Sequence, residues 1–229
     1  MMGLILAAGS GTRMENNTTP KCLLNLGGIS IIEYQLECFK ELGINNIVMV
    51  VGFNSDMIKE RVGINVKYVS NLNYKTTNNL YSIWAAESSM NDDFVCVYSD
   101  LLFHKDILKN CIDSKSNVCL MVEKKMKEET MRVKIQNDRI IQVNKRISID
   151  NADGNFIGMA KFRKDEKKFL FAEINELIHV GNQQSYYTDA IEKIISKGRL
   201  VNYAYTEGRP WADIDTISEL SDAKIIFQD

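Results

Sequence analysis

The sequence predicts an α/β fold in three layers: a mostly parallel sheet with helices on both faces, joined in its second half by a β-rich insertion. Two observations carry that prediction. Through the first hundred residues, short apolar runs alternate with helical patterns, and such alternation builds a parallel sheet whose crossover helices cover both sides. After Asp100 the pattern changes to closely spaced strand-like runs, with turn residues at Asn137-Asp138 and Asp153-Gly154.

Taken in order, Gly3 to Ala7 reads as a buried parallel strand. Ser30 with Glu33 makes a capping-box helix start. Ile32, Leu36 and Phe39 follow at helical spacing, and Gly43 closes the helix. Ile47 to Val51 is a second apolar strand, Met57 to Val62 a short helix and Val66 to Val69 a third strand. Leu80 to Met90 reads as a helix with Ile83 and Trp84 facing the sheet, and Phe94 to Tyr98 as a strand ending at Ser99-Asp100. Val118 to Val122, Met131 to Ile135, Ile140 to Asn144 and Asn155 to Phe162 form the β-rich stretch. A helix from Lys167 to Ile178 follows, then one from Tyr187 to Lys197 that stops at Gly198. Leu200 to Tyr205 returns to strand, and Thr216 with Glu219 caps a final helix. The expected architecture is Rossmann-like.

Composition bounds the function. With 229 residues, 45% hydrophobic and 25% charged, the chain suits one soluble α/β domain. A net charge of −2 argues against nucleic acid as a partner. No apolar run has the length of a membrane span, and the N-terminus enters a strand without signal-peptide regions. The five cysteines (Cys22, Cys38, Cys96, Cys111 and Cys119) are odd in number and lack CxxC spacing, which fits a reducing cytoplasm. His104 and His179 are the only histidines, too few for a zinc cluster, and read as surface or packing residues.

The run Leu4 to Met14, followed by Pro20-Lys21, is the most informative motif. An apolar strand empties into a turn of small residues, Leu6-Ala7-Ala8-Gly9-Ser10-Gly11-Thr12. Gly9 and Gly11 allow positive φ and close approach to an anion, and successive N–H groups in such a turn form a nest for phosphate oxygens. Arg13 and Lys21 add two full charges, a planar fork and a compact point. The Gly-Lys-Ser/Thr triplet of a Walker loop is absent. Met14 stands where a dinucleotide-binding turn has its third glycine.

Other positions carry matching chemistry beside plainer readings. Asp100 directly follows a strand, where α/β sheets bind ligands, and suits Mg²⁺ held against a polyphosphate; it also reads as a turn aspartate. Asp213 and Asp215 share one face of extended chain, an arrangement that suits Mg²⁺ with its one or two carboxylate ligands. Capping of the last helix is the equal alternative for Asp215. In Thr76-Thr77-Asn78-Asn79-Leu80-Tyr81-Ser82, Asn78 and Ser82 suit both the edge of a base and helix capping. Gly52 leaves room beside the second strand. Tyr186, Tyr187 and Trp211 offer faces for a quaternary ammonium group or belong to the core. Arg132, Lys134 and Lys145 suit a phosphate or a solvated face, and Asp189 an amino group. Glu123 to Glu129, mixed in sign, reads as a solvated loop.

The glycine-turn string resembles the signature of nucleotidyltransferases with a sugar-nucleotide-transferase type of fold, Leu-Ala-Ala-Gly-x-Gly-x-Arg-Met/Leu then Pro-Lys, here Leu6 to Met14 and Pro20-Lys21. Within that superfamily the chain looks like the small cytidylyltransferases that activate phosphocholine or phosphonates such as 2-aminoethylphosphonate. The likeness extends through Thr76 to Ser82, Ser99-Asp100 and Trp211-Ala212-Asp213-Ile214-Asp215-Thr216. It implies a single domain over 1–229, with a nucleotide-binding half at 1–115 and an acceptor-binding half at 116–229 whose β-rich insertion forms the acceptor pocket.

The resemblance also implies a Mg²⁺-dependent transfer of CMP from CTP to a small phosphorylated or phosphonate acceptor. Leu6 to Thr12, Gly52, Asn78 and Ser82 would meet the nucleotide, and Asp100 and Asp215, with Asp213 close by, the metal. Arg13 would neutralise the leaving phosphates, and Lys21 would bridge the α-phosphate and the attacking oxygen. Lys145, Tyr186, Tyr187, Asp189 and Trp211 would face the acceptor. Phosphocholine-specific relatives are expected to carry a tryptophan near position 131; this chain has Met131, which leaves the acceptor open. The expectation covers a cytoplasmic enzyme without membrane insertion and admits a homodimer. A sugar-1-phosphate nucleotidyltransferase using UTP, dTTP or GTP is the enzymatic alternative, and a nucleotide-binding regulatory module the non-enzymatic one.

Overall fold

The computed structural model describes residues 1–11, 18–127 and 130–227. In chain order its elements are β1 (Met2–Ala7), α1 (Ile31–Glu41), β2 (Ile47–Val51), α2 (Ser55–Val62), β3 (Lys67–Ser70), α3 (Asn79–Ala86), β4 (Phe94–Tyr98), β5 (Leu101–Phe103), α4 (Lys105–Asp113), β6 (Val118–Glu123), β7 (Met131–Gln136), β8 (Arg139–Asn144), β9 (Gly154–Phe162), α5 (Lys164–His179), α6 (Tyr187–Ser196), β10 (Asn202–Tyr205), β11 (Trp211–Asp213) and α7 (Ile217–Phe227).

The central sheet runs β10-β6-β9-β4-β1-β2-β3. β1, β2, β3 and β4 pair in parallel, as do β6 and β10, while β9 runs antiparallel between β4 and β6. Alternation along β1 shows why a strand in this position is apolar throughout. Leu4 and Leu6 pack into one core with α3, α5 and α6, whereas Ile5 and Ala7 pack into a second with α1, α2 and α4. Each buried aliphatic side chain contributes about 1.5–3 kcal/mol, so both faces must stay covered, and the three expected layers follow. The Ser30–Glu33 capping box forms as the sequence predicts.

The strands of the second half extend this same sheet through β6, β9 and β10, with the β7–β8 hairpin attached to β9. Three elements escaped sequence reading: α4, β5 and β11. β5 and β11 pair antiparallel, Trp211 opposite Phe103 and Asp213 opposite Leu101. This small sheet packs Leu102 and Ile214 into a third apolar cluster with Ala223 of α7. At three residues each, its strands are too short for a periodic signal. Among the described residues, no helix is long and apolar enough to cross a membrane.

Candidate active site

The candidate site assembles where the carboxyl ends of β1, β2 and β4 meet the β5–β11 sheet. Backbone hydrogen bonds pin these segments together: Ser99 N–H donates to Leu6 O (3.3 Å), Phe53 N–H to Ala8 O (3.1 Å) and Ile214 N–H to Asp100 O (3.0 Å). The last bond sets the Asp213–Asp215 segment beside Asp100. Gly52 lies against the glycine turn, where a Cβ would meet Ala8 O at 2.8 Å and the Tyr74 Cβ at 2.8 Å. It thus makes room for backbone and for Tyr74.

Gly11 adopts φ +58°, as the motif requires, but Gly9 does not enter the positive-φ region. A Cβ on Gly11 would lie 2.9 Å from Lys21 Cγ, so the turn packs directly on the lysine stem. Thr12, Arg13 and Met14 lie outside the described residues. Pro20 leads into a single 3-10 turn at Lys21–Leu23. Cys22 is buried there, its thiol pushed up to about 12 by burial and, secondarily, by the charge of Asp100.

Lys21 Nζ forms an ion pair with Asp215 and lies 3.7 Å from Asp100 Oδ2. Oxygens of Asp100, Asp213 and Asp215 lie within 4.8 Å of one another. The hydrogen bonds at the start of α7 put a cap on Thr216. Thr216 Oγ1 accepts from Glu219 N–H (3.2 Å), and Glu219 in turn accepts from the backbone N–H groups of Thr216 and Asp215, at 2.8 Å each. The Asp215 carboxylate meets Lys21.

Tyr98, at the end of β4, backs the cluster. Its phenol is raised well above its ordinary value by burial, then by Cys96, Asp100 and Asp213, and its oxygen accepts from Asn79 Nδ2 (2.9 Å). The Thr76–Ser82 motif is engaged in the fold. Asn78 Oδ1 caps α3 by accepting from Asn79 N–H (2.8 Å), and Asn78 N–H donates to Gln183 O (3.0 Å). Ser82 is buried, and its hydroxyl accepts from Asn71 Nδ2 (3.2 Å).

Of the residues expected to face an acceptor, three share one cavity and two lie elsewhere in the fold. Lys145, Tyr186 and Asp189 line a cavity of about 550 Å³ between β8, α5 and α6; Lys145 Nζ donates to Tyr186 Oη (3.2 Å) and sits 4.8 Å from the ring centre. Tyr187 is wholly buried against Tyr98 and Phe156 and presents no face to solvent. Trp211 belongs to β11, beside the acids.

Sequence reading missed Glu123. It ends β6 instead of opening a solvated loop, and accepts from Trp211 Nε1 (3.1 Å), Thr206 Oγ1 (2.7 Å) and Lys125 N–H (2.8 Å). Burial works against its charge, but hydrogen bonds from Lys125, Thr206, Trp211 and Lys124 outweigh it and hold the carboxyl below the usual range. The available signal was an acid at the end of a buried strand, the same that marked Asp100. His104 caps α4 through Nδ1, half exposed, and all five cysteines are buried and free.

Three clustered carboxylates form a hard oxygen donor set, and one or two of them with water and phosphate match what Mg²⁺ takes. The residues therefore fit a divalent cation, with Lys21 alongside as a fixed charge for an anion.

Comparison with known proteins places the chain in a family. A family model described as a MobA-like NTP transferase domain matches residues 3–140. The chain is 26% identical to the CTP:phosphoglutamine cytidylyltransferase of Campylobacter jejuni, over 96% of this chain and 98% of that one. It is 27% identical to the 2-aminoethylphosphonate cytidylyltransferase of Lancefieldella rimae, over 95% and 89%. The CTP:phosphocholine cytidylyltransferase of Streptococcus pneumoniae shares the fold, with a TM-score of 0.78, 23% identity and 98% of each chain covered.

Proposed function

We propose, from the premise that the chain belongs to the MobA-like NTP transferase domain family, that it is a cytidylyltransferase. It moves CMP from CTP to a small phosphorylated or phosphonate acceptor, of the phosphocholine or 2-aminoethylphosphonate type, and releases pyrophosphate. The observation that carries this reading is the meeting of Lys21 with Asp100 and Asp215 directly against the glycine turn. Relatives covering nearly the whole chain bear names that specify CTP and acceptors of this kind.

The acceptor oxygen is already anionic, so no protein nucleophile is needed. That oxygen forms a bond to the α-phosphorus while the bond to the β-phosphate bridging oxygen breaks, and pyrophosphate leaves with the electron pair. The protein's work is positioning and charge stabilisation. Turn N–H groups from Ala8 to Gly11 cradle phosphate oxygens. Lys21 steadies the α-phosphate as charge develops, and Arg13 neutralises the departing group. Asp100 and Asp215, with Asp213 beside them, would hold Mg²⁺, which supplies Lewis-acid neutralisation of phosphate oxygens.

Pyrophosphate release assayed with CTP, UTP, GTP and dTTP against phosphocholine, 2-aminoethylphosphonate and sugar 1-phosphates tests the reading. CTP with a phosphocholine- or phosphonate-type acceptor is expected to give the highest kcat/KM. Preference for a sugar 1-phosphate with another nucleotide, or no turnover with any pair, would overturn it.

A further inference from the structure

The buried stripe of α1 is Ile31, Ile32, Gln35, Cys38 and Phe39. A helix turns such a stripe to a core to bury apolar surface, and Gln35 interrupts it with a wholly buried amide. Both Nε2–H protons are used: Nε2 lies 2.9 Å from Tyr98 O and 2.6 Å from Leu101 O. These carbonyls bracket Ser99-Asp100, the turn between β4 and β5 that carries one acid of the cluster. A carbonyl can only accept, so the amide has one workable orientation. In that orientation Gln35 Oε1 is buried with no hydrogen-bond partner among the described residues. A buried unpaired acceptor destabilises, so packing alone gives no reason for a glutamine here.

The reason lies in the geometry of β5. Ile214 N–H donates to Asp100 O at 3.0 Å, and Leu101 stands opposite Asp213 across the β5–β11 pair. Leu101 therefore occupies a non-hydrogen-bonded position of that pair, and its carbonyl meets α1 instead. Phe103, two residues on, repeats the pattern, its carbonyl accepting from Tyr34 Oη at 3.0 Å. Tyr34 and Gln35 thus stand in for a neighbouring strand along β5. Of the two, Gln35 also reaches back to β4 and so spans the turn.

We propose that Gln35 is a positioning residue for the cation site: by holding the carbonyls on both sides of Ser99-Asp100, it fixes the Asp100 carboxylate against the repulsion of Asp213 and Asp215. This role rests on the divalent-cation reading of the acid cluster and adds to it a residue of α1 that touches neither metal nor substrate. Three carboxylates within 4.8 Å repel one another, and a loose turn would let Asp100 swing away before an ion arrives. A held turn keeps its oxygens in place beforehand, so the ion does not have to order them.

Mn²⁺ alone, followed by the paramagnetic resonance of the free ion, reads the site without turnover. The parent is expected to bind the ion and Asp100→Asn to lose it. Gln35→Met, close in volume and without donors, should raise the Mn²⁺ Kd about tenfold, the lower end of what partners behind metal ligands contribute. Gln35→Glu keeps the shape and, as the neutral acid that burial favours, one donor; its Kd should fall between the two, and it decides alone where Gln35→Met does not fold. Tyr34→Phe removes a bond of the same α1–β5 seam away from the turn. It should lower the melting temperature and leave the Mn²⁺ Kd within about twofold. In turnover, excess Mg²⁺ should bring kcat of Gln35→Met back toward the parent, which a merely loosened fold would not allow. Parent-like Mn²⁺ affinity in the Gln35 variants, with only the melting temperature lowered, would overturn the role of Gln35 and leave the cation site standing. A Kd raised as much by Tyr34→Phe would do the same by assigning the effect to the whole seam. No Mn²⁺ binding in the parent, or binding that Asp100→Asn does not weaken, would overturn the cation site and the role of Gln35 with it.

Discussion

The acid cluster at the β5–β11 sheet and the groove between β8 and α6 are both rich in charge, but their charges are arranged on different principles. In the groove, opposite charges meet in separate pairs. Glu192 accepts from Val143 N–H (3.0 Å) and from Asn144, with Arg146 at 3.6 Å, and Lys193 pairs with Glu176 at 2.8 Å. Such pairs at a solvated rim contribute roughly 0–1 kcal/mol each. In the cluster, three carboxylates from two separate segments lie within 4.8 Å of one another, and two of them meet Lys21. Crowding like charges costs stability. The groove's pairs hold the chain together, whereas the cluster has the crowded oxygens that the proposed cation would neutralise.

The sharpest way to break that distinction is to remove Lys21. Losing a charged donor costs about 1.5–3 kcal/mol, and if the loss falls in the transition state, Lys21→Ala lowers kcat by roughly ten- to a hundredfold or more. The fold should survive, because the lysine stem lies at the rim of the glycine turn and both main cores are untouched. Pyrophosphate release and a circular-dichroism melt check the two halves of the statement. Near-normal turnover in that variant would reduce the cluster to another structural ion pair.

Next in size are the glycines that bring the segments together. Gly52→Ala would press a Cβ against Ala8 O and Tyr74, both at 2.8 Å, and overpacking of this kind costs about 1–3 kcal/mol. Gly11→Ala adds about 1–2 kcal/mol for a left-handed backbone and pushes on the Lys21 stem, 2.9 Å away. Both variants should unfold at lower urea than the parent. Gly11→Ala should in addition lose turnover at temperatures where it is fully folded, since the pushed group is the lysine proposed to steady the α-phosphate. Equal loss of activity per unit of lost stability in the two variants would mean that Lys21 tolerates the push.

The same contrast explains what was legible beforehand. The convergence of Lys21 and the three acids beside the glycine turn could be expected because the proposed phosphate and metal chemistry calls for fixed residue types at strand ends, and strand ends are marked by apolar runs such as Phe94–Tyr98. The sheet was legible because both faces of β1 and β4 are buried. Two kinds of feature were hidden. β5 and β11 have only three residues each and exist through pairing across more than a hundred positions, which no local pattern records. The acceptor side was hidden because the same residue types serve core and ligand: Tyr187 is wholly buried while Trp211 holds a lysine on its face, and their local sequences do not distinguish them. Ser82 is another case, a hydroxyl suited to a base edge that also accepts from Asn71.

A smaller effect separates the groove from the Trp211 face. Lys145 donates to Tyr186 at the cavity between β8 and α6, a rim contact. Lys145→Ala is expected to change the acceptor KM by about twofold or less, in line with a surface contact of under 0.5 kcal/mol. Trp211→Ala removes a fixed ring beside the acids and should raise it about tenfold or more, as for a desolvated cation–π contact of about 2 kcal/mol. Steady-state kinetics on both variants with one acceptor decides which region meets it. A larger rise for Lys145→Ala would move the acceptor into the groove.

The smallest expected effect concerns Glu123, where the two principles meet: a carboxylate beside the site whose charge serves the fold. Hydrogen bonds hold its carboxyl below the usual range in the folded protein, whereas in the unfolded chain it titrates near about 4.3. A group lowered on folding contributes stability that is fully present above the unfolded value and is lost as pH falls through the folded one. Glu123→Gln should therefore melt below the parent at pH 7, with the gap closing as pH is taken below about 4. Paired thermal melts across that range measure it. A gap that stays constant to pH 3 would assign the contribution of Glu123 to shape and neutral hydrogen bonding, and the orientation of Trp211 would then need no charge behind it.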